Sequence, residues 1–161
     1  MTERSGRRTS EATRRHTHAH IMPLRIYFED TDAGGIVYHA NYFRHAERAR
    51  AEMMRTVGLE SRHLWEKEDR IFAIRHAEID YLAPAYLDDA LEVESEILEM
   101  RGSSMTARQC VKREGRMLVE MNIVLVCLTG EGKPVRIPDH VRDRLGAFVA
   151  TVGAGGTEEK G

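Results

Sequence analysis

The period of polar and apolar residues changes twice along this chain. Between Pro23 and Glu29 the apolar Leu24, Ile26 and Phe28 alternate with Arg25, Tyr27 and Glu29, the two-residue period of a half-buried strand. From Asn41 the period lengthens. Tyr42, Ala46, Ala49, Met53 and Val57 recur at steps of three and four, Phe43 and Met54 widen the stripe, and Arg44, Glu47, Arg48, Glu52 and Arg55 fill most other positions. That spacing predicts an amphipathic helix with Asn41 as its N-cap and Gly58 just past its end, where a left-handed residue stops the coil. His45, on this helix, is expected to face partly outward.

After a Trp-containing segment, Ser61 to Glu68, that suits one or two helical turns, the two-residue period returns and stays. Ile71 to Tyr81 reads as a strand and Leu82 to Asp89 as a loop. Leu91, Val93, Ser95 and Ile97 then alternate with Glu92, Glu94 and Glu96, and Arg101-Gly102-Ser103 turns the chain. Met105 to Arg113 and Arg116 to Thr129 flank Glu114-Gly115, a two-residue hairpin signal that sets Cys110 opposite Val119. The apolar run from Met121 to Leu128 suits a strand at the centre of a sheet. Pro138 opens a short terminal helix at DHVRDRL. Strand, long helix and a meander of about four strands define an α+β class, one antiparallel sheet packed on one principal helix. Neither an internal repeat nor a linker divides it.

Composition narrows the picture. Apolar residues at 42% and charged residues at 31% of 161 are the balance of a folded, soluble domain. A net charge of −2 argues against bulk nucleic-acid binding. Five arginines against two glutamates make residues 1–20 a basic arm, expected to be disordered, and residues 149–161 read as a flexible tail, which leaves 21–148 as the domain. No apolar run approaches the ~18 residues of a membrane span, and the first residues lack a secretory pattern, so the expectation is a cytoplasmic protein. Cys110 and Cys127 are expected to be free, buried thiols.

The stretch between the first strand and the helix, FEDTDAGGIVYHANY from Phe28 to Tyr42, has another character. A helix N-terminus offers unpaired N–H groups and a partial positive charge, which favour a developing oxyanion. Gly34 and Gly35 let the main chain approach a substrate closely. A carboxylate just ahead of that helix can act as nucleophile or general base on a carbonyl held there. The parts suit acyl transfer to water. Asp30 reads as a turn cap. Asp30, Asp32, His39 and His45 lack a recognised metal-ligand spacing, and no metal or cofactor is expected.

The run from Tyr27 to Tyr42, ERAR at Glu47 to Arg50, DYLAPAYLDDALEV at Asp80 to Val93, RGSS at Arg101 to Ser104 and GKPVRIP at Gly132 to Pro138 resemble hotdog-fold acyl-CoA thioesterases, most closely the Tol-Pal-associated branch related to hydroxybenzoyl-CoA thioesterase. The resemblance implies an antiparallel sheet wrapped around one central helix, two copies joined edge to edge as a homodimer or homotetramer, and active sites at the subunit interface. It implies Asp32 as the catalytic carboxylate and His39 as the residue that polarises the thioester or orients water. The resemblance also implies the His39 backbone N–H as the donor to the carbonyl oxygen. Gly35, Tyr38, Arg101 and Ser103 would line the substrate path, and Arg101, Arg108, Lys112 and Arg136 are candidates for the coenzyme A phosphates. The substrate would be an acyl-CoA or an acyl-carrier-protein thioester. A binding or scaffold role in the Tol-Pal cell-envelope system, with Glu92, Glu94 and Glu96 as a contact patch, is the alternative.

Overall fold

The long helix falls where the three-and-four spacing puts it. In the computed structural model, which describes residues 18–150, α1 spans Asn41–Thr56 and buries Tyr42, Ala46, Ala49, Met53 and Met54. Gly58, at φ +76°, closes it with paired bonds from Gly58 N–H to Arg55 O and Leu59 N–H to Met54 O. The N-cap is Ala40, not Asn41. Asn41 is nearly buried as the first helical residue, and its side-chain amide donates to the Asp30 carbonyl at 2.9 Å, so it ties the helix start to the preceding loop.

Strand β1 covers His20–Arg25, earlier than the alternation suggested. Its Pro23 is tolerated because β1 is an edge strand. The strand stops at Arg25 because the Asp30 carboxylate accepts the Tyr27 N–H at 2.8 Å and draws Phe28–Asp30 into a 3-10 turn, leaving Phe28 81% exposed. Helix α2 occupies Ser61–Glu68, followed by β2 at Ile71–Tyr81, β3 at Ala90–Met100, β4 at Ser104–Arg113, β5 at Arg116–Leu128 and α3 at Asp139–Leu145.

The strand order is β1-β3-β4-β5-β2, antiparallel at every pairing. The expected meander holds for β3, β4 and β5. It fails for β2, which crosses over to pair with β5 and so becomes the second open edge. Glu114 (φ 50°) and Gly115 (φ 79°) form the left-handed pair of a two-residue hairpin. Its register slips by one residue, because Val111 pairs with Val119 but Lys112 with Met117. The extra residue, Leu118, gives its carbonyl to the N–H groups of Leu82 and Ala83 and so anchors the β2–β3 connection. Cys110 therefore faces Glu120, and the Cys127 N–H bonds to Ser103 O. Both cysteines are free and buried.

Val119, Met121, Ile123, Leu125 and Cys127 of β5 join Leu91, Val93 and Ile97 of β3 and the apolar stripe of α1 in one core. Helix α3 locks its end: Arg144 donates to Gly58 O at 3.1 Å, and Arg142 to the carbonyls of Arg101 and Gly102 at 2.7 and 3.0 Å. No helix among the described residues is long and apolar enough to cross a membrane.

Candidate active site

The loop ahead of α1 is a tight turn fixed by its own polar groups. Asp32 Oδ1 accepts the Gly34 N–H at 2.8 Å, and the Asp32 carbonyl accepts the Gly35 N–H at 3.0 Å. Gly35, at φ +79°, meets nothing within 4 Å where a Cβ would stand. Backbone conformation, not crowding, calls for glycine there. At Gly34 a Cβ would come within 3.1 Å of Asp32 Oδ1, so this position controls where the carboxylate sits. Asp32 thus takes the turn-capping bond with one oxygen, is exposed, and keeps its other oxygen without a donor among the described residues.

His39 and Tyr38 are also exposed, their rings 4.3 Å apart. The Tyr38 N–H bonds to Asp30 O, whereas the His39 N–H has no partner among the described residues. Tyr81, at the end of β2, donates its hydroxyl to the His39 carbonyl at 3.0 Å and holds this stretch against the sheet edge. Asp32, Gly35, Tyr38 and His39 therefore lie on one exposed loop, and the His39 N–H, just before the helix, has no partner among the described residues.

Arg101 and Ser103 are not part of that loop. Tyr81 pairs with Val119 at one end of β2, and Ile71 pairs with Leu128 at the other, beside the Arg101–Ser103 turn. An 11-residue strand separates the two ends, roughly 35 Å. Arg101 bonds to Glu99 at 2.9 Å, and Ser103 contributes its carbonyl to Cys127. Arg108 is clamped between Glu120 (2.8 Å) and Glu96 (3.3 Å), and Lys112 is held by Glu94 (2.7 Å). These pairs occupy both cations, and they also neutralise most of the acidic run read as a contact patch. Arg136 and Arg142 stand near Arg101: Ile137 N–H and Arg142 both bond to Gly102 O.

His45 departs from its expectation. It is buried, and its Nε2 lies 3.2 Å from Asp30 Oδ1, while Nδ1 has no partner. Asp30 is thus more than a turn cap, because its carboxylate joins the loop ahead of α1 to the flank of that helix. Burial holds the His45 imidazole below its ordinary pKa, against the pull of Asp30. The native state keeps it neutral while the unfolded chain takes up a proton near pH ~6.5. Its contribution to stability is full above that pH and is lost as pH falls through the native value. A melting midpoint that declines from pH 7.5 to 5, with the decline reduced in His45→Phe, is the expected result; equal slopes would contradict it.

A cavity of 680 Å³ opens between α1, α2 and the inner face of the sheet. Its walls are mainly apolar, Met53, Met54, Leu64, Trp65, Phe72 and Leu125 among them, and Trp65, 61% exposed, stands at its edge. Neither Asp32 nor His39 lines it. Among its lining residues Arg50 donates to Gln109 Oε1 at 2.8 Å, and Gln109, fully buried, donates to Ala46 O and Ser95 Oγ. The helical stripe carries a signal for this group: Arg50 stands four residues after Ala46 and three before Met53, inside the apolar face.

A five-stranded antiparallel sheet packed on one long helix is the architecture of hotdog-fold proteins. A profile of the thioesterase superfamily matches residues 34–120. The acyl-CoA thioesterase YbgC of Haemophilus influenzae is 40% identical over 122 residues, covering 75% of this chain and 90% of that protein. An acyl-CoA thioester hydrolase YbgC of Escherichia coli is 42% identical over 121 residues, 74% and 90% respectively. Among solved structures, a probable thioesterase from Bartonella henselae aligns with a TM-score of 0.73 at 32% identity, over 74% of this chain and 99% of that one. The chain belongs to the thioesterase superfamily.

Proposed function

We propose that this protein hydrolyses acyl-CoA to a carboxylic acid and coenzyme A, and that each active site is built from two copies of the chain. The exposed Asp32 carboxylate beside the unpartnered His39 N–H carries the chemical part of the reading. The thioester carbonyl accepts the His39 N–H, and the charge that develops on its oxygen is stabilised at the start of α1. Asp32 attacks the carbonyl carbon or takes the proton of an attacking water. In the first case the C–S bond breaks to leave an acyl-Asp32 anhydride that water then hydrolyses; in the second the water oxygen adds to the carbonyl carbon directly and the C–S bond breaks as the tetrahedral adduct collapses to the acid. Coenzyme A leaves as a thiolate, whose low basicity requires no strong acid beside the sulfur. An acyl-Asp32 anhydride trapped in a single turnover distinguishes direct attack from the base mechanism.

The need for two copies rests on the separation of Asp32 from the cavity. β2 is an open edge that carries the Asp32 loop at its Tyr81 end and the cavity residues Ile71, Phe72 and Ile74 at the other. Two-fold antiparallel pairing of β2 with its copy sets the Tyr81 end of one chain beside the Ile71 end of the other. The Asp32 loop of one copy then meets the cavity of its partner, with Arg101 and Arg136, each in an exposed and therefore weak ion pair, as the candidates for the coenzyme A phosphates.

Complementation tests this. Asp32→Asn and Ala51→Trp, the latter placed to fill the cavity, are each expected to be nearly inactive in thiol release from acyl-CoA. Mixed and reassorted, they should regain about a quarter of wild-type activity, because half the dimers pair an intact Asp32 with an open cavity at one of two sites. A site within one chain would give no recovery. Absence of thiol release by the folded wild-type protein from every acyl-CoA tried would overturn the activity itself.

A further inference from the structure

The cavity that would receive the acyl group is more than an oily slot. Beside its apolar walls it is lined by Arg50, Arg62 and Arg70 and by Glu47 and Glu66. Arg62 and Glu66 satisfy each other at 2.9 Å. Arg50 and Arg70 have no carboxylate within salt-bridge distance among the described residues. Arg50 makes one side-chain hydrogen bond, to Gln109, from a fork with five donors. Arg70 bonds only to the carbonyls of Glu68 and Asp69 and leaves a buried Nε–H without a partner.

With Arg62 and Glu66 set aside, the lining holds two cations against the single carboxylate of Glu47, which is exposed. A desolvated cation is costly unless an anion accompanies it. Burial pushes the Arg50 guanidinium below its ordinary pKa, with Glu47 only partly opposing. A methyl-terminated acyl chain would fill the apolar space and cut these donors off from water without replacing their bonds. A carboxylate would balance the excess charge and match the planar donor fork.

We propose that this cavity takes acyl groups bearing a carboxylate at the end remote from the thioester, so that the substrates are monothioesters of dicarboxylic acids and Arg50 is the residue that selects them. Arg50 is aimed by Gln109, itself held by Ser95 and the Ala46 carbonyl, and Arg70 supplies a second donor from the wall. The inference rests on the thioesterase reading for its substrate. It differs in site from phosphate binding, for which the candidates are Arg101 and Arg136, both outside the cavity lining and each beside one carboxylate, Glu99 and Asp139.

The experiment compares adipyl-CoA with hexanoyl-CoA and suberyl-CoA with octanoyl-CoA, pairs matched in chain length, on the full chain. Wild type is expected to favour the carboxylate-terminated member by about tenfold or more in kcat/KM, and Arg50→Met to reduce that ratio by at least about tenfold. Arg50→Lys, which keeps the charge but loses the fork, should fall between them. Preference of the wild type for the methyl-terminated member overturns the proposal. An equal loss on both members in Arg50→Met overturns it too, since Arg50 would then serve coenzyme A or the fold. If Arg50→Met does not fold, the wild-type and Arg50→Lys ratios decide. Calorimetry with free adipate and free hexanoate separates this idea from the activity. Tighter, Arg50-dependent binding of adipate without thiol release would keep the carboxylate site and discard the hydrolase. Brisk hydrolysis with no preference and no adipate binding would do the reverse.

Discussion

Asp32→Asn is expected to lower kcat/KM for acyl-CoA hydrolysis by about 10²- to 10⁴-fold while leaving the melting midpoint nearly unchanged. The substitution is close to isosteric. The amide oxygen of asparagine still accepts the Gly34 N–H that Asp32 Oδ1 accepts at 2.8 Å, so the turn survives. The position is exposed, and no cation in the described residues pairs with the carboxylate, so little folding energy depends on its charge. What disappears is the basic or nucleophilic oxygen. Asp30, two residues earlier in the same motif, should give the opposite pattern. Its carboxylate holds the Tyr27 N–H and lies against His45, so Asp30→Ala should appear first as lower stability, by about 1–3 kcal/mol. Thiol-release kinetics and thermal melts on both variants check the pair. Full activity in folded Asp32→Asn would remove Asp32 from the mechanism.

The contrast between these two aspartates shows what was legible in the sequence. Local periodicity located α1, Ile71–Tyr81 and the Glu114-Gly115 hairpin, because each depends on neighbours in sequence. The place of β2 did not follow from it. Two strands joined by a short loop are expected to pair, but the extra residue at Leu118 captures the Leu82 and Ala83 N–H groups and sends β2 to the far side of β5. The same bulge moved Cys110 by one partner. At the site, Asp32, Gly35, Tyr38 and His39 are consecutive enough for one motif to carry them together. Arg101 and Ser103 belong to a motif at the opposite end of the sheet, and only a second copy of the chain would join the two. The sequence hides the roles of His45 and Arg50 for a shared reason. Both occupy the inner stripe of α1, where a polar side chain is kept by a distant partner, Asp30 in one case and Gln109 in the other.

That distant partnership leads to the second large effect, Gln109→Leu. The leucine has similar bulk and is apolar, in a position with no solvent exposure, so transfer free energy alone predicts a gain. The expected result is a loss of about 2–4 kcal/mol in denaturant unfolding, with an unchanged denaturant slope. Gln109 accepts from Arg50 and donates to the Ala46 carbonyl and Ser95 hydroxyl, so its removal strands the cation and the hydroxyl, while the Ala46 carbonyl, inside α1, keeps its helical bond. If the stranded guanidinium dominates the loss, Arg50→Met in the same chain should recover part of it, with a coupling of about 1–3 kcal/mol between the two positions. Simple additivity would mean that water in the cavity already satisfies Arg50, and the charge argument for a carboxylate ligand would lose its force. Coupling would mean that Arg50 is held in place at a real energetic cost, as expected of a group kept to meet an anion.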